Sequence, residues 1–145
     1  MTRLVVPYLP IVQPATSLHP NGRTAYRPFV RLKLVAPNGR FFEGAGLADS
    51  GADACLFPLR FAKYLKLDLS SAPTGLTTGV GSTVNLTYYA QIAVEFGPGL
   101  RFESQIGFTE GMDRAGFGLL GQQGFFENYN VEFRHRQRQF TIESA

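Results

Sequence analysis

Residues 27–49, RPFVRLKLVAPNGRFFEGAGLAD, restrict the possible folds more than any other part of the chain. Apolar and charged side chains alternate over residues 29–35, the period of a half-buried strand. An Asn-Gly pair follows at 38–39, a dipeptide that favours the tight turn of a β-hairpin. A second apolar run then leads back to Asp49. The stretch predicts a hairpin whose returning strand ends at an aspartate.

Frequent chain breaks favour short strands over long helices in the rest of the sequence. Sixteen Gly and nine Pro interrupt a 145-residue chain that also holds thirteen Phe, six Tyr and no Trp. The pattern predicts a mostly-β fold with one or two short helices. Beyond the first hairpin, the predicted elements are a helix over 59–67, strands over 84–96 and 100–108, a helix over 122–128 and a terminal hairpin over 131–142.

The amino-terminal residues are predicted to be an extended arm and a loop. Pro7 and Pro10 interrupt the apolar run of MTRLVVPYLPIV, which argues against a leader peptide and favours an edge strand. A Pro-, Ser- and Asn-rich loop is expected over residues 13–26. We therefore divide the chain into an arm and loop, 1–25, and one domain, 26–145, which is long enough to bury a sizeable core.

Composition points to a soluble, cytoplasmic protein. No apolar run approaches the roughly 20 residues of a membrane-spanning helix, so no membrane partner is expected. The single cysteine, Cys55, excludes an internal disulfide, which makes an oxidising compartment unnecessary. Cys55 lies in an apolar run and is expected to be a small core residue. His19 and His135 lack metal-ligand spacing, so neither a metal nor another cofactor is predicted.

A cluster of arginines near the carboxyl terminus gives the sequence its most basic segment. The net charge is +3, and FRHRQRQF brings Arg134, Arg136 and Arg138 together. We interpret the segment as the solvated turn of the terminal hairpin, because nucleic-acid-binding domains concentrate more charge on one face. A nucleic-acid contact at this turn is the alternative, and no nucleic-acid partner is predicted.

Asp49-Ser50-Gly51 has two interpretations when taken alone. Asp and Ser favour turns because their side chains bond neighbouring amides, and Gly51 tolerates a positive φ. A carboxylate displayed at a strand end can also carry out acid–base chemistry, although turns are the commoner setting of this tripeptide. The tripeptide does not decide between a turn and a catalytic group.

Three motifs taken in order resemble the retropepsin family of aspartic proteases. They are DSGAD at 49–53, the glycine-rich hairpin tip TGVGS at 78–82, and GLLG at 118–121. The likeness extends over about residues 26–143. It implies a closed, barrel-like acid-protease fold in which each protomer supplies one Asp-Thr/Ser-Gly loop, one flap hairpin and one turn that supports the loop.

The resemblance also implies roles for individual residues. Asp49 would be catalytic, and the other residues divide into three groups. The active-site loop is Ser50, Gly51 and Ala52; the flap tip is Thr78, Gly79, Val80, Gly81 and Ser82; and the loop support is Asp53, Leu119, Leu120, Gly121 and Gln122. Retroviral members often place an arginine where Gln122 stands, so the amide of Gln122 replaces a possible ion pair to Asp53 with a weaker hydrogen bond.

The implied function is that of an aspartic endopeptidase acting on a peptide or protein substrate. The chain contains one Asp-Ser-Gly, so a pair of catalytic carboxyls requires a homodimer. The alternative is a catalytically inactive module that keeps the fold for peptide binding or dimerisation.

Overall fold

The computed structural model of the chain describes residues 2–78 and 84–144. Within those residues most of the regular structure is extended. The strands in chain order are β1 (Arg3–Pro7), β2 (Leu9–Gln13), β3 (Arg23–Arg27), β4 (Phe29–Val35), β5 (Phe41–Ala48), β6 (Leu56–Pro58), β7 (Thr74–Thr77), β8 (Asn85–Glu95), β9 (Arg101–Thr109), β10 (Gly118–Leu120), β11 (Tyr129–Arg134) and β12 (Gln139–Ser144). One α-helix, α1 (Leu59–Tyr64), follows β6.

The largest sheet closes on itself. Its strand order is β4-β5-β10-β6-β9-β8-β7, and β4 also pairs with β8, so six strands form a ring with β7 at its edge. The predicted hairpin is confirmed, because β4 and β5 are antiparallel with Phe29 opposite Leu47. Gly39 in its turn has a φ of +87°, which glycine adopts without strain. The mostly-β prediction is therefore confirmed, with the sheet taking a ring-like form.

Aromatic and aliphatic side chains fill the core. The largest side chains that are essentially solvent-free are Phe57, Phe96, Phe108, Phe125, Phe140, Leu34, Leu65, Ile92, Leu100, Ile106, Leu120 and Ile142. Helix α1 adds Phe61 and Ala62 to this core. The helix is shorter than predicted, because Lys66 adopts a left-handed φ of +53°. Among the described residues, no helix has the length and apolar character required to cross a bilayer.

The chain termini form a separate three-stranded sheet in the order β1-β12-β11. The predicted terminal hairpin is confirmed, with Val131 opposite Ile142 and Phe133 opposite Phe140. The expected edge strand near the amino terminus is β1, which pairs with β12 along its whole length. The arginine cluster forms the exposed turn between β11 and β12.

The amino-terminal loop is shorter than predicted. Residues 23–26 belong to β3, which pairs with β2 in a two-stranded sheet, so the connecting loop covers 14–22. Thr24 and Tyr26 favour extended structure, and the apolar residues of β2 offer them a partner that a local pattern does not reveal. The division of the chain at residue 25 stays a prediction.

The predicted helix over 122–128 is wrong. That segment is a series of turns in which Phe126 donates to the carbonyl of Gly121, and Glu127 to that of Gln122. Gly124 has a φ of +94°, outside the helical region, so the backbone of this segment cannot form a regular helix.

Candidate active site

Asp49 lies at the end of β5 in a tight turn made by its own loop. Its backbone N–H donates to the carbonyl oxygen of Leu120 at 3.0 Å. Its Oδ1 accepts the N–H of Gly51 at 3.0 Å, and its carbonyl accepts the N–H of Ala52 at 3.1 Å. A carboxylate that accepts a backbone N–H is held in one orientation. The turn and the acid–base interpretations therefore describe the same geometry, because the turn itself aims the carboxylate.

Strand β10 and the residues after it support this loop from beneath. β10 runs parallel to β5, with Leu119 beside Leu47. Past the strand, the N–H of Gln122 donates to the carbonyl of Ala52 at 2.8 Å, and that of Gln123 to the carbonyl of Asp53 at 2.9 Å. The predicted loop and the predicted support therefore lie in direct contact.

Gly121 is positioned where only glycine fits. A Cβ at this position would lie 2.4 Å from the carbonyl oxygen of Ala54 and 2.7 Å from that of Ala52. Both atoms belong to the backbone, so neither yields by a rotamer change. The second glycine of GLLG is required by this close approach of two loops.

Gln122 contacts the loop at a different residue from the one anticipated. Its Nε2 donates to the carbonyl oxygen of Ser50 at 2.9 Å. Asp53 is exposed and reaches the support through its backbone carbonyl, not through its carboxylate. The amide of Gln122 thus links the support to the part of the loop nearest Asp49.

Cys55 forms a polar link behind the loop that sequence reasoning missed. It is fully buried, and its Sγ accepts the N–H of Gly121 at 3.3 Å and donates to the carbonyl of Gln123 at 3.4 Å. Burial raises the pKa of the thiol to about 11, so the sulfur remains a neutral thiol near neutral pH. A single cysteine in an apolar run gives no sequence signal for this arrangement.

A cleft of about 390 Å³ opens over the loop. The cleft is lined by the loop, by β6, β8 and β10, and by residues 76–78, which form the base of the predicted flap. The lining residues are Asp49, Gly51, Ala52, Asp53, Ala54, Leu56, Leu76, Thr77, Thr78, Tyr89 and Leu119. The flap-tip predictions Gly79, Val80, Gly81 and Ser82 lie outside the described residues.

Leu56, Leu76 and Tyr89 are cleft residues that the motifs do not identify. Leu76 is 73% exposed beside the cleft. Successive side chains of a strand point to opposite faces, and this alternation along β7 and β8 is the one sequence signal for which of their residues share the face that meets the cleft. The register that joins the strands is a tertiary property.

The described residues include no group of three or more His, Cys, Asp or Glu side chains arranged to hold a metal ion. His19 Nε2 lies 3.4 Å from a guanidinium nitrogen of Arg23, and His135 packs against Tyr8 with ring centroids 5.7 Å apart. Both histidines therefore have local partners.

The same architecture occurs in a protein of known structure. The chain superimposes on a retropepsin-like aspartic protease from Rickettsia conorii with a TM-score of 0.60, over 97% of this chain and 98% of that one, at 14% identity. The chain has the retropepsin fold. A weaker likeness, with a TM-score of 0.38 and 16% identity, covers 63% of this chain and 14% of the foamy viral protease–reverse transcriptase solved with double-stranded DNA. No protein-family model and no curated protein matches the chain by sequence.

Recognition of the retropepsin fold from three short motifs is thus confirmed. The retropepsin fold of this chain brings the loop at 49–53 and the support at 118–122 into contact, and it places the base of the predicted flap across the cleft from Asp49. The roles assigned to these residues stay predictions.

Proposed function

We propose that this protein is an aspartic endopeptidase in which two Asp49 carboxyls, one from each protomer of a homodimer, activate a water molecule. The observation that carries the proposal is the position of Asp49, whose carboxylate is oriented by the Gly51 amide and lines a cleft. The retropepsin fold supports it further, together with the contact of residues 118–122 with the loop and the position of Thr77 and Thr78 on the same cleft.

The chemistry explains why one chain is insufficient. Hydrolysis of a peptide bond by water needs a base to take a proton from the water and an acid to protonate the substrate. Two carboxyls about 3 Å apart repel by roughly 5 kcal/mol when both are charged, at an effective dielectric constant near 20. The repulsion separates their pKa values by about four units, so the pair holds one proton over a wide acidic range. Paired Asp49 side chains supply the base and the acid at once.

The reaction proceeds without a covalent intermediate. The ionised Asp49 takes a proton from water while the oxygen of that water bonds to the scissile carbonyl carbon. The protonated Asp49 of the other protomer donates its proton to the carbonyl oxygen. The tetrahedral species collapses when the Asp49 that took the proton from water passes it to the amide nitrogen, the C–N bond breaks, and one hydroxyl proton of the tetrahedral species returns to the other Asp49. The products are a carboxylic acid and an amine, and the pair ends with one shared proton as it began.

The cleft suits an extended peptide with apolar side chains. Among the described residues β7 pairs with β8 alone, so its other edge offers backbone groups to a substrate strand. Leu76 of β7 and Leu56 and Tyr89 across the cleft give apolar walls. Because side chains of an extended peptide alternate, every second residue would enter this space.

Substitution of Asp49 by Asn tests the proposal directly. The amide neither accepts the proton from water nor shares one with its partner, so peptide cleavage should fall by at least about 100-fold. Cleavage of a library of extended peptides with apolar residues is measured by mass spectrometry between pH 3 and 7. Asp68→Asn makes the same chemical change at an exposed carboxylate whose partner is Ser70, outside the cleft, and should leave cleavage unchanged.

Retention of cleavage by a folded Asp49→Asn protein would contradict the assignment. The folded state of each variant is checked by the midpoint of thermal unfolding. A wild-type protein that binds peptides without cutting any of them would instead favour the inactive peptide-binding module.

A further inference from the structure

The β2–β3 hairpin is incompletely covered in a single protomer. β2 and β3 form a two-stranded sheet that pairs with no third strand among the described residues. Val12 in β2 is 81% exposed and Leu18 in the connecting loop is 79% exposed. A two-stranded hairpin is only marginally stable in water unless another surface packs against it. The exposed apolar side chains therefore point to a surface that a partner covers.

The base of this hairpin lies next to the candidate active site. The carbonyl oxygen of Pro28, directly after β3, accepts the N–H of Ala48 at 3.0 Å, and Ala48 precedes Asp49. On the other strand, the N–H of Tyr8 donates to the carbonyl of Arg138 at 2.8 Å. The base of the hairpin is therefore hydrogen-bonded to the end of β5, the part of the protomer that a second Asp49 would approach.

Charge is divided unevenly between residues 1–42, which include the hairpin, and residues 43–132. Residues 1–42 contain no acidic residue, and the hairpin exposes Arg23 and Arg27. Residues 43–132 contain ten acidic and five basic residues. Two of the acidic residues, Asp53 and Glu127, are exposed and line an open groove of about 450 Å³ beside the Asp49 loop. The basic hairpin is thus electrostatically complementary to residues 43–132, the acidic half of the chain.

We propose that the β2–β3 hairpin binds a second copy of this chain, where it lies against the acidic half of the partner. The proposal rests on the proposed function, which requires that second copy. In a two-fold dimer each hairpin covers the other protomer in the same way, so the contact occurs twice. Hairpin-to-hairpin contact is disfavoured, because it would bring like charges together. The hairpin then stabilises the dimer and leaves the chemistry to Asp49.

Charge reversal on the hairpin tests the contact. The dimer dissociation constant is measured by sedimentation equilibrium for wild type, Arg23→Glu and Arg40→Glu. Arg40 is an exposed arginine in the β4–β5 turn, roughly 30 Å from Asp49 along β5. Arg23→Glu should weaken the dimer at least about tenfold at low salt, whereas Arg40→Glu should leave it within about twofold of wild type. Equal dissociation constants for the two variants would overturn the proposal.

An apolar pair of variants gives an independent comparison. The double substitution Val12→Ser and Leu18→Ser should also raise the dissociation constant, and Phe41→Ser, at a 59% exposed residue that begins β5, should not. If wild type dimerises and the hairpin variants dimerise equally well, the hairpin inference fails and the dimeric protease stands. If hairpin variants weaken the dimer but Asp49→Asn retains cleavage, the proposed function fails and the hairpin contact stands. A wild type that stays monomeric at all concentrations overturns both.

Discussion

Cys55 shows how one side chain joins two segments that are distant in the sequence. Its thiol lies between the Asp49 loop and the turn after β10, with one hydrogen bond accepted from Gly121 and one donated to Gln123. Only the neutral thiol makes both bonds, because a thiolate has no proton to donate. The protonation state of Cys55 is therefore coupled to the stability of the fold.

The stability of the protein should fall at alkaline pH in a way that depends on Cys55. The pKa of the thiol is raised from 9.0 to about 11 by burial, so the unfolded chain loses its proton at a lower pH than the folded one. The stabilisation is fully present below pH 9 and decreases as the pH rises towards 11, by about 1 kcal/mol between pH 9 and pH 10. Urea unfolding at these two pH values measures the loss. The Cys55→Ala protein should not show this loss of unfolding free energy between pH 9 and pH 10. An equal loss in the two proteins would contradict the prediction.

Strand β10 is short, yet it determines the geometry of the loop above it. Its three residues pair with β5, and Leu119 also pairs with Leu56 of β6, so β10 connects the strand before Asp49 to the strand that follows its loop. The chain then turns at Gly121, against the carbonyl oxygens of Ala52 and Ala54. The position of Asp49 thus depends on backbone contacts between elements and not on side-chain packing alone.

A methyl group at Gly121 should destabilise the protein. Gly121→Ala puts a Cβ 2.4 Å from the carbonyl of Ala54, and the displacement of backbone should cost about 1–3 kcal/mol in unfolding free energy. Gly44→Ala in β5 is the matched control, since its Cβ would lie 3.4 Å from a ring carbon of Phe61, an ordinary contact. Urea unfolding of both variants measures the difference. Equal losses would show that the close approach at Gly121 is readily relieved.

At the scale of the whole molecule, the proposed catalytic unit is larger than one chain. One protomer offers one Asp49, a cleft and an uncovered hairpin, and a second copy completes the pair of carboxyls. Net charge is positive in the amino-terminal 42 residues and negative over 43–132. The basic part of one copy can therefore attract the acidic part of another.

Mixing wild type with the Asp49→Asn variant should therefore inhibit the wild type. Random exchange between equal amounts places about half of the wild-type chains in mixed dimers, which have one functional carboxyl, so cleavage per wild-type chain should fall by about half. The measurement is the initial rate at fixed wild-type concentration as the variant is added. Asp68→Asn, added in the same amounts, is the control and should not reduce the rate. An unchanged rate with Asp49→Asn would show that each chain acts alone.

Local pattern was sufficient for the elements with strong periodicity. The hairpin that ends at Asp49 and the terminal hairpin from 131 to 142 were predicted correctly, because alternation and an Asn-Gly turn depend on neighbouring residues. The helix over 122–128 was not, since a left-handed Gly124 interrupts it. The sequence predicts a loop where β3 lies, because the pairing of β3 with β2 crosses nine intervening residues, 14–22.

The sequence by itself determined the strand that ends at Asp49, the glycine at position 121 and the order of motifs that indicated the fold. Only the tertiary structure decided which residues meet at the cleft. Strand register brings Leu76 and Tyr89 to the cleft that Asp49 lines, and Cys55 reaches Gly121 across 66 residues of chain. Such contacts depend on how the sheet closes into a ring, and closure is set by the combined burial of the core side chains, which no local stretch of sequence encodes.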